Sequence, residues 1–193
     1  MSPDHLSASY RDVDRSDALH ARRASAPMDT TAHLLALTQR IAEQPDQALQ
    51  ALIDVAMRAT AAHASGLSLV TAGPDGHEVF RWVATAGDLA GQLGATMPRH
   101  FSPCGDVLRR NALTWMVQPA RHYGVADDLG VSLEEVLLAP FAFDGRPQGT
   151  LWVTSRDASK TFTREDGDVL EELAAFVGHS SALVQRLGTR RFS

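Results

Sequence analysis

Between residues 30 and 63 the apolar positions recur every three or four residues. Leu34, Leu37 and Ile41 form one stripe, predicting a short helix over residues 30–43. Leu49, Leu52, Ile53, Ala56, Met57 and Thr60 form a second, predicting a helix that ends near His63, before Gly66. Pro45 suits the first turn of that helix, where a missing N–H costs nothing. From residue 67 the period drops to two. Residues 67–71 and 79–85 read as strands joined by the turn Gly73-Pro74-Asp75-Gly76. Ser102 before Pro103 has the chemistry of an N-cap followed by a first-turn proline, opening a helix to about Asn111. Residues 112–117 read as a short strand. Residues 136–143 and 148–154 flank Asp144-Gly145, the pair favoured in two-residue hairpin turns. Thr163 and Asp166 have the spacing of a helix start. Val169, Leu173, Phe176, Val177, Leu183, Val184 and Leu187 continue from it as a long apolar stripe toward the chain end.

This order of helix, helix, hairpin, helix, strand, hairpin and helix predicts an α+β fold. Hairpins imply an antiparallel sheet, and helices at both ends can cover one of its faces. The strand at 150–154 has two unlike sides. Leu151 and Val153 are aliphatic and suit packed helices, whereas Thr150, Trp152 and Thr154 make a mixed face that suits a small-molecule pocket.

Composition narrows the class. A length of 193 residues predicts one domain, placed at residues 29–193, behind a polar N-terminal tail over 1–28 that is expected to be disordered. No apolar run approaches the roughly 18 residues of a membrane span, and the N-terminus lacks the apolar middle of a secretory signal. A soluble, cytoplasmic protein is expected. The net charge of −5 argues against a nucleic-acid partner, which prefers a basic stripe. Lys160 is the only lysine beside many arginines, a bias that points to a GC-rich bacterial genome. Cys104 is the only cysteine, which excludes an intrachain disulfide and a Cys-rich zinc site. No P-loop, G-x-S-x-G elbow or G-x-G-x-x-G motif occurs, and no His/Cys spacing predicts a metal site.

Three segments carry a family resemblance: FSPCGDVLRRN (101–111), LLAPFAFDGRPQGTLWVTSRD (137–157) and TFTREDGDVLEELAAFVG (161–178). With the helices and hairpin before them, residues 30 to 188 resemble the GAF domains of bacterial sensor histidine kinases, several of which carry a similar S-P-C-G segment. The resemblance implies a six-stranded antiparallel sheet with helices on one face and a ligand pocket on the other. It leaves the ligand and any cofactor unknown. Three branches of the family are tested by their own residues. Cyclic-nucleotide GAF domains have an Asn-Lys pair followed by Phe and Asp-Glu. Here the pair is Ser155-Arg156 and Phe162 precedes Asp166-Gly167, so only Phe162 and Asp166 match, and a bridge from Arg156 to Asp166 would be structural. Bilin-binding members carry a Cys-His pair where Arg121-His122 stands. Free methionine sulfoxide reductases place their nucleophilic cysteine near Val125-Ala126-Asp127, where none exists, and their resolving chemistry needs a second thiol.

The candidate ligand-binding residues are Trp82, Phe101, Cys104, Trp115, His122, Tyr123, Trp152 and Thr154, with no catalytic or metal-binding residue assigned. The cavity is expected between the Thr150/Trp152/Thr154 face and the segment 99–123. The tryptophans can stack on a ligand or fill the core. His122, like His100, can donate to a ligand or ligate haem iron, or simply lie at the surface. Cys104 reads either as a thiol activated by a helix N-terminus or as a small buried hydrophobe. The expected function is a stand-alone, non-enzymatic sensory domain that binds a small molecule and signals through protein contact, with a partner such as a histidine kinase. Pairing of the terminal helices into a homodimer is part of that expectation. The alternative is a thiol-active protein, related to the free methionine sulfoxide reductases, that uses Cys104.

Overall fold

The computed structural model describes residues 10–11, 30–44, 47–123, 130–143 and 145–180. Their elements are β1 (Tyr10–Arg11), α1 (Thr30–Glu43), α2 (Ala48–Ala59), β2 (Ala64–Ala72), β3 (Glu78–Gly87), β4 (Thr96–Pro98), α3 (Pro103–Arg110), β5 (Thr114–Val117), α4 (Ala120–Tyr123), β6 (Glu135–Phe143), β7 (Arg146–Ser155) and α5 (Arg164–His179). All pairings are antiparallel, in the order β1-β5-β6-β7-β2-β3-β4. Strands β2 to β7 make the six-stranded sheet of an α+β fold. The two-residue β1, from within the 1–28 stretch, adds a seventh strand beside β5; the rest of that stretch lies outside the described residues.

Local chemistry accounts for the helix ends. Helix α2 buries Leu49, Leu52, Ile53 and Ala56 on one stripe. It stops at Ala59, earlier than the apolar spacing predicts, because Ala61 takes a left-handed φ of 49°. By His63 the backbone N–H already donates to Thr154 across the sheet. Strand β2 therefore begins at Ala64, where small residues hide the two-residue period. In α3, Ser102 caps the helix by accepting the Gly105 N–H at 3.2 Å, Pro103 occupies the first turn, and Asn111 closes the end at φ 50°. In α5, Thr163 and Asp166 form a reciprocal capping box. Lys160 adds a 2.7 Å ion pair to Asp166 and Phe162 is buried against the helices, so the F-T-x-E-D motif is a helix anchor. The bridge from Arg156 to Asp166 does not form: Arg156 pairs instead with Asp88 at 2.9 Å and Asp157 at 3.3 Å.

The sheet separates two cores. Leu151 and Val153 of β7 join Leu52, Ile53, Phe162, Leu170, Leu173 and Val177 on the helix-covered face. Trp152 joins Trp82, Leu89, Met97, Cys104, Val107 and Leu138 on the other, under α3. At the tip of the β6–β7 hairpin Phe143 pairs with Arg146 and Gly145 has φ 73°; Asp144 lies outside the described residues. So do Leu183, Val184 and Leu187 of the C-terminal stripe, and the side chains of Leu34 and Ile41.

Candidate ligand pocket

Strands β6 and β7 build the floor of a cavity. Val136 pairs with Thr154 and Leu138 with Trp152, so period-two alternation turns all four side chains to the same face. Trp82 reaches that face through a bulge: Leu67 pairs with Ala84, but its neighbour Ser68 pairs with Trp82, skipping Val83. The extra residue re-aims the strand, as bulges do. The Trp82 and Trp152 rings then meet with centroids 4.9 Å apart at 50°. Gly66, paired with Trp152, makes this possible, because a Cβ there would lie 2.2 Å from the Trp152 ring.

The walls come from the covering segments: Leu89, Met97, Pro103, Cys104, Pro119, Ala120, Tyr123 and Leu133. The cavity has a volume of about 40 Å³. That is room for a few water molecules and well short of the roughly 150 Å³ of an apolar cavity that takes benzene. Among the described residues no charged side chain lines it.

Beneath it runs a buried polar network. Trp152 Nε1–H donates to Ser68 Oγ at 2.9 Å, the Cys104 thiol donates to the same oxygen at 3.8 Å, and Thr150 Oγ1 donates to Cys104 Sγ at 3.2 Å. Burial pushes the Cys104 thiol up from its ordinary value, outweighing its hydrogen-bond contacts with Thr150 and Ser68, which act the other way. Burial thus opposes the effect that a helix N-terminus has on a thiol. One polar group in the wall is unmet: the buried Nε1–H of Trp82 has no acceptor among the described residues.

Of the eight residues proposed from sequence, Trp82, Cys104, Tyr123, Trp152 and Thr154 line the cavity. Phe101 does not; it is 60% exposed, with its ring 5.5 Å from Tyr123 at the outer rim. His122 sits on α4 just before Tyr123, outside the lining. Trp115 belongs to the opposite face, since in β5 it is Met116 that joins the pocket-side core while Trp115 packs against the helix-side core. Thr150 is on the predicted face but is spent on Cys104. Sequence reasoning missed Val136 and Leu138, although their alternation in β6 matches that of Trp152 and Thr154. It also missed Ser68, for which the bulge leaves no sequence signal. Among the described residues no cluster of three metal-ligating side chains occurs, and no helix is long and apolar enough to cross a membrane.

Comparison with known proteins bears on this arrangement. A family model described as GAF domain matches residues 42–179, most of the chain. The chain belongs to the GAF domain family. Solved GAF structures share its fold. The GAF domain of a phosphoenolpyruvate-protein phosphotransferase from Coxiella burnetii superposes with a TM-score of 0.69 at 22% identity, over 85% of this chain and 99% of that one. Free methionine-R-sulfoxide reductase from Neisseria meningitidis, solved with its substrate, gives 0.63 at 21% identity, over 87% and 99%. The GAF domain of a two-component sensor histidine kinase from Bacillus halodurans gives 0.52 at 16%, over 72% and 97%. At these identities the likeness concerns the fold. No curated protein matches the chain.

Proposed function

We propose that this GAF domain is a sensor whose cavity takes a small molecule and whose occupancy is passed on by protein contact. The observation that carries the reading is the cavity itself, walled by Trp82, Trp152, Cys104 and Tyr123. The buried Trp82 indole N–H, which has no acceptor among the described residues, supports it, since native proteins satisfy nearly all such donors. Two signalling features complete the reading. The domain pairs as a homodimer through α1, where Leu35 is 63% exposed, and α5 beside it, and its partner is a signalling protein such as a histidine kinase in the cytoplasm. Neither chemistry nor a resident metal is part of it. The thiol-active alternative draws support from the sulfoxide-reductase fold, but a single buried thiol held in its neutral form is a poor nucleophile.

Native mass spectrometry of the freshly purified protein tests the binding claim: a bound small molecule is expected, lost on denaturation. Protein that carries no added mass, and whose tryptophan fluorescence ignores a metabolite library, overturns it. Light scattering at micromolar concentration tests the dimer, and a monomer mass refutes it.

A further inference from the structure

Resting on the reading of this cavity as a binding site, we infer that α4 is a hinged lid over it, pivoting at Gln118 and latched shut by the hydrogen bond from the Tyr123 hydroxyl to Asp106. At about 40 Å³ the closed space is well short of the roughly 150 Å³ of a cavity that takes benzene, so a metabolite-sized molecule enters only when a wall moves. Most of the walls are fixed. Val136, Leu138, Trp152 and Thr154 lie within the ladder of β6 and β7, and Met97 in that of β4 and β3. Beside α3 the Ser102 hydroxyl donates to the Pro98 carbonyl at 2.7 Å. The helix also packs so closely that a Cβ on Gly105 would lie 2.2 Å from the Arg99 carbonyl oxygen. Next to Leu133, the Glu134 N–H donates to the Ser155 carbonyl at 2.8 Å.

Helix α4 is held differently. The Arg121 N–H donates to the Gln118 carbonyl, and those of His122 and Tyr123 to the Pro119 carbonyl, so the turn can swing as a unit without breaking a sheet bond. It carries Ala120 and Tyr123 of the wall, with Pro119 just before it. The pivot is strained. Gln118 has φ 49°, a left-handed conformation costly for a residue with a Cβ, and the proline after it favours extended backbone instead. Glu134 holds it there: its carbonyl accepts the Gln118 N–H at 2.6 Å, and its carboxylate accepts the side-chain amide at 3.2 Å. Relaxation of this one residue re-aims the chain that follows. At the far end the Tyr123 hydroxyl donates at 2.7 Å to Asp106 of α3, a carboxylate braced by Arg109 at 2.8 Å. Strain at one end and a charge-assisted bond at the other make two arrangements, closed and open, and the bond sets their balance.

Cys104 reports the swing, because it is the only cysteine, lines the same cavity and is 3% exposed. Methyl methanethiosulfonate, a small uncharged thiol reagent, is added to the folded protein at one fixed pH, and the modified fraction is followed by mass. Tyr123→Phe keeps the ring and removes the latch. It should label at least about tenfold faster than wild type, as loss of a hydrogen bond to a charged group predicts. Asp106→Asn keeps an acceptor without its charge and should fall between the two. Both rates should stay flat across low urea, since a swing of α4 exposes far less surface than unfolding does. Labelling of Tyr123→Phe at the wild-type rate overturns the lid, and so does an acceleration that climbs with urea as steeply as global unfolding. The measurement uses no ligand, so fast, urea-independent labelling in protein that binds no metabolite keeps the lid and removes the sensory reading.

Discussion

Leu151 and Trp152 are neighbours in one strand, yet they belong to cores of different design. On the helix-covered side, Leu151 and Val153 are fully buried among aliphatic residues from α2 and α5. On the other side, Trp152 and Trp82 are buried beside a serine, a threonine and a cysteine that hydrogen-bond to one another, and a cavity remains above them. Helices can fill the first face because their stripes of Leu, Ile, Val and Ala interdigitate with it. The second is roofed by α3, the four-residue α4 and connecting segments, which close over it without filling it. The contrast places the filled core on one face and the cavity on the other.

Substitutions on the two faces should differ in what they cost. Leu151→Ala, on the helix face, should cost about 2–5 kcal/mol, because it opens a hole in a well-filled core. Denaturant unfolding checks this, and a loss below 1 kcal/mol, about the cost of a surface change, would erase the contrast. Gly66→Ala acts on the pocket face through one carbon. With its Cβ at 2.2 Å from the Trp152 ring and 2.7 Å from the Ala84 carbonyl oxygen, the ring must move. The expected cost is about 1–3 kcal/mol, together with a changed tryptophan emission as the Trp152 ring shifts, read by fluorescence. Unchanged emission and stability would show that the Trp152 ring is not held by the close approach of Gly66.

Trp82→Phe should change stability by no more than about 1 kcal/mol, since it shrinks an aromatic but also removes an unsatisfied buried donor. A larger loss on thermal unfolding would place Trp82 with the filled core. Smallest is the effect of Cys104→Ser, expected to keep binding and to cost about 1 kcal/mol or less. Its signature is in the pH profile. The folded thiol titrates above its ordinary value of 9.0, so the unfolded chain loses its proton first as pH rises. The stabilising contribution is therefore whole below 9.0 and is lost as pH climbs from there through the raised folded value. The serine variant should lack this alkaline decline. Mild alkylating reagents should label folded wild-type protein slowly near neutral pH, and rapid stoichiometric labelling would revive the thiol-active alternative.

Much of the architecture follows from local rules that the chain states outright. Ser102-Pro103 and Thr163 with Asp166 declare helix starts, because capping needs only side chains within three residues of the backbone they serve. Alternation along 150–154 declares two faces, since side-chain direction in a strand depends on parity alone. Those rules carry the α+β class, the hairpins and the pocket-side placement of Trp152 and Thr154. They stop where position depends on partners distant in sequence. Trp115 looks like Trp82 as a strand tryptophan, but its side of the sheet depends on how β5 registers against β6. Trp82 gains the pocket through a bulge whose skipped residue, Val83, is an ordinary strand residue. Cys104 has the sequence surroundings of an activated thiol, and burial against β2 and β7 opposes that, because desolvation of an anion outweighs two hydrogen-bond contacts. Sequence alone determined which segments are helix or strand and which strand faces could bury; register, the bulge and the depth of burial, all set by contacts between remote segments, decided which side chains form the pocket and what their chemistry is.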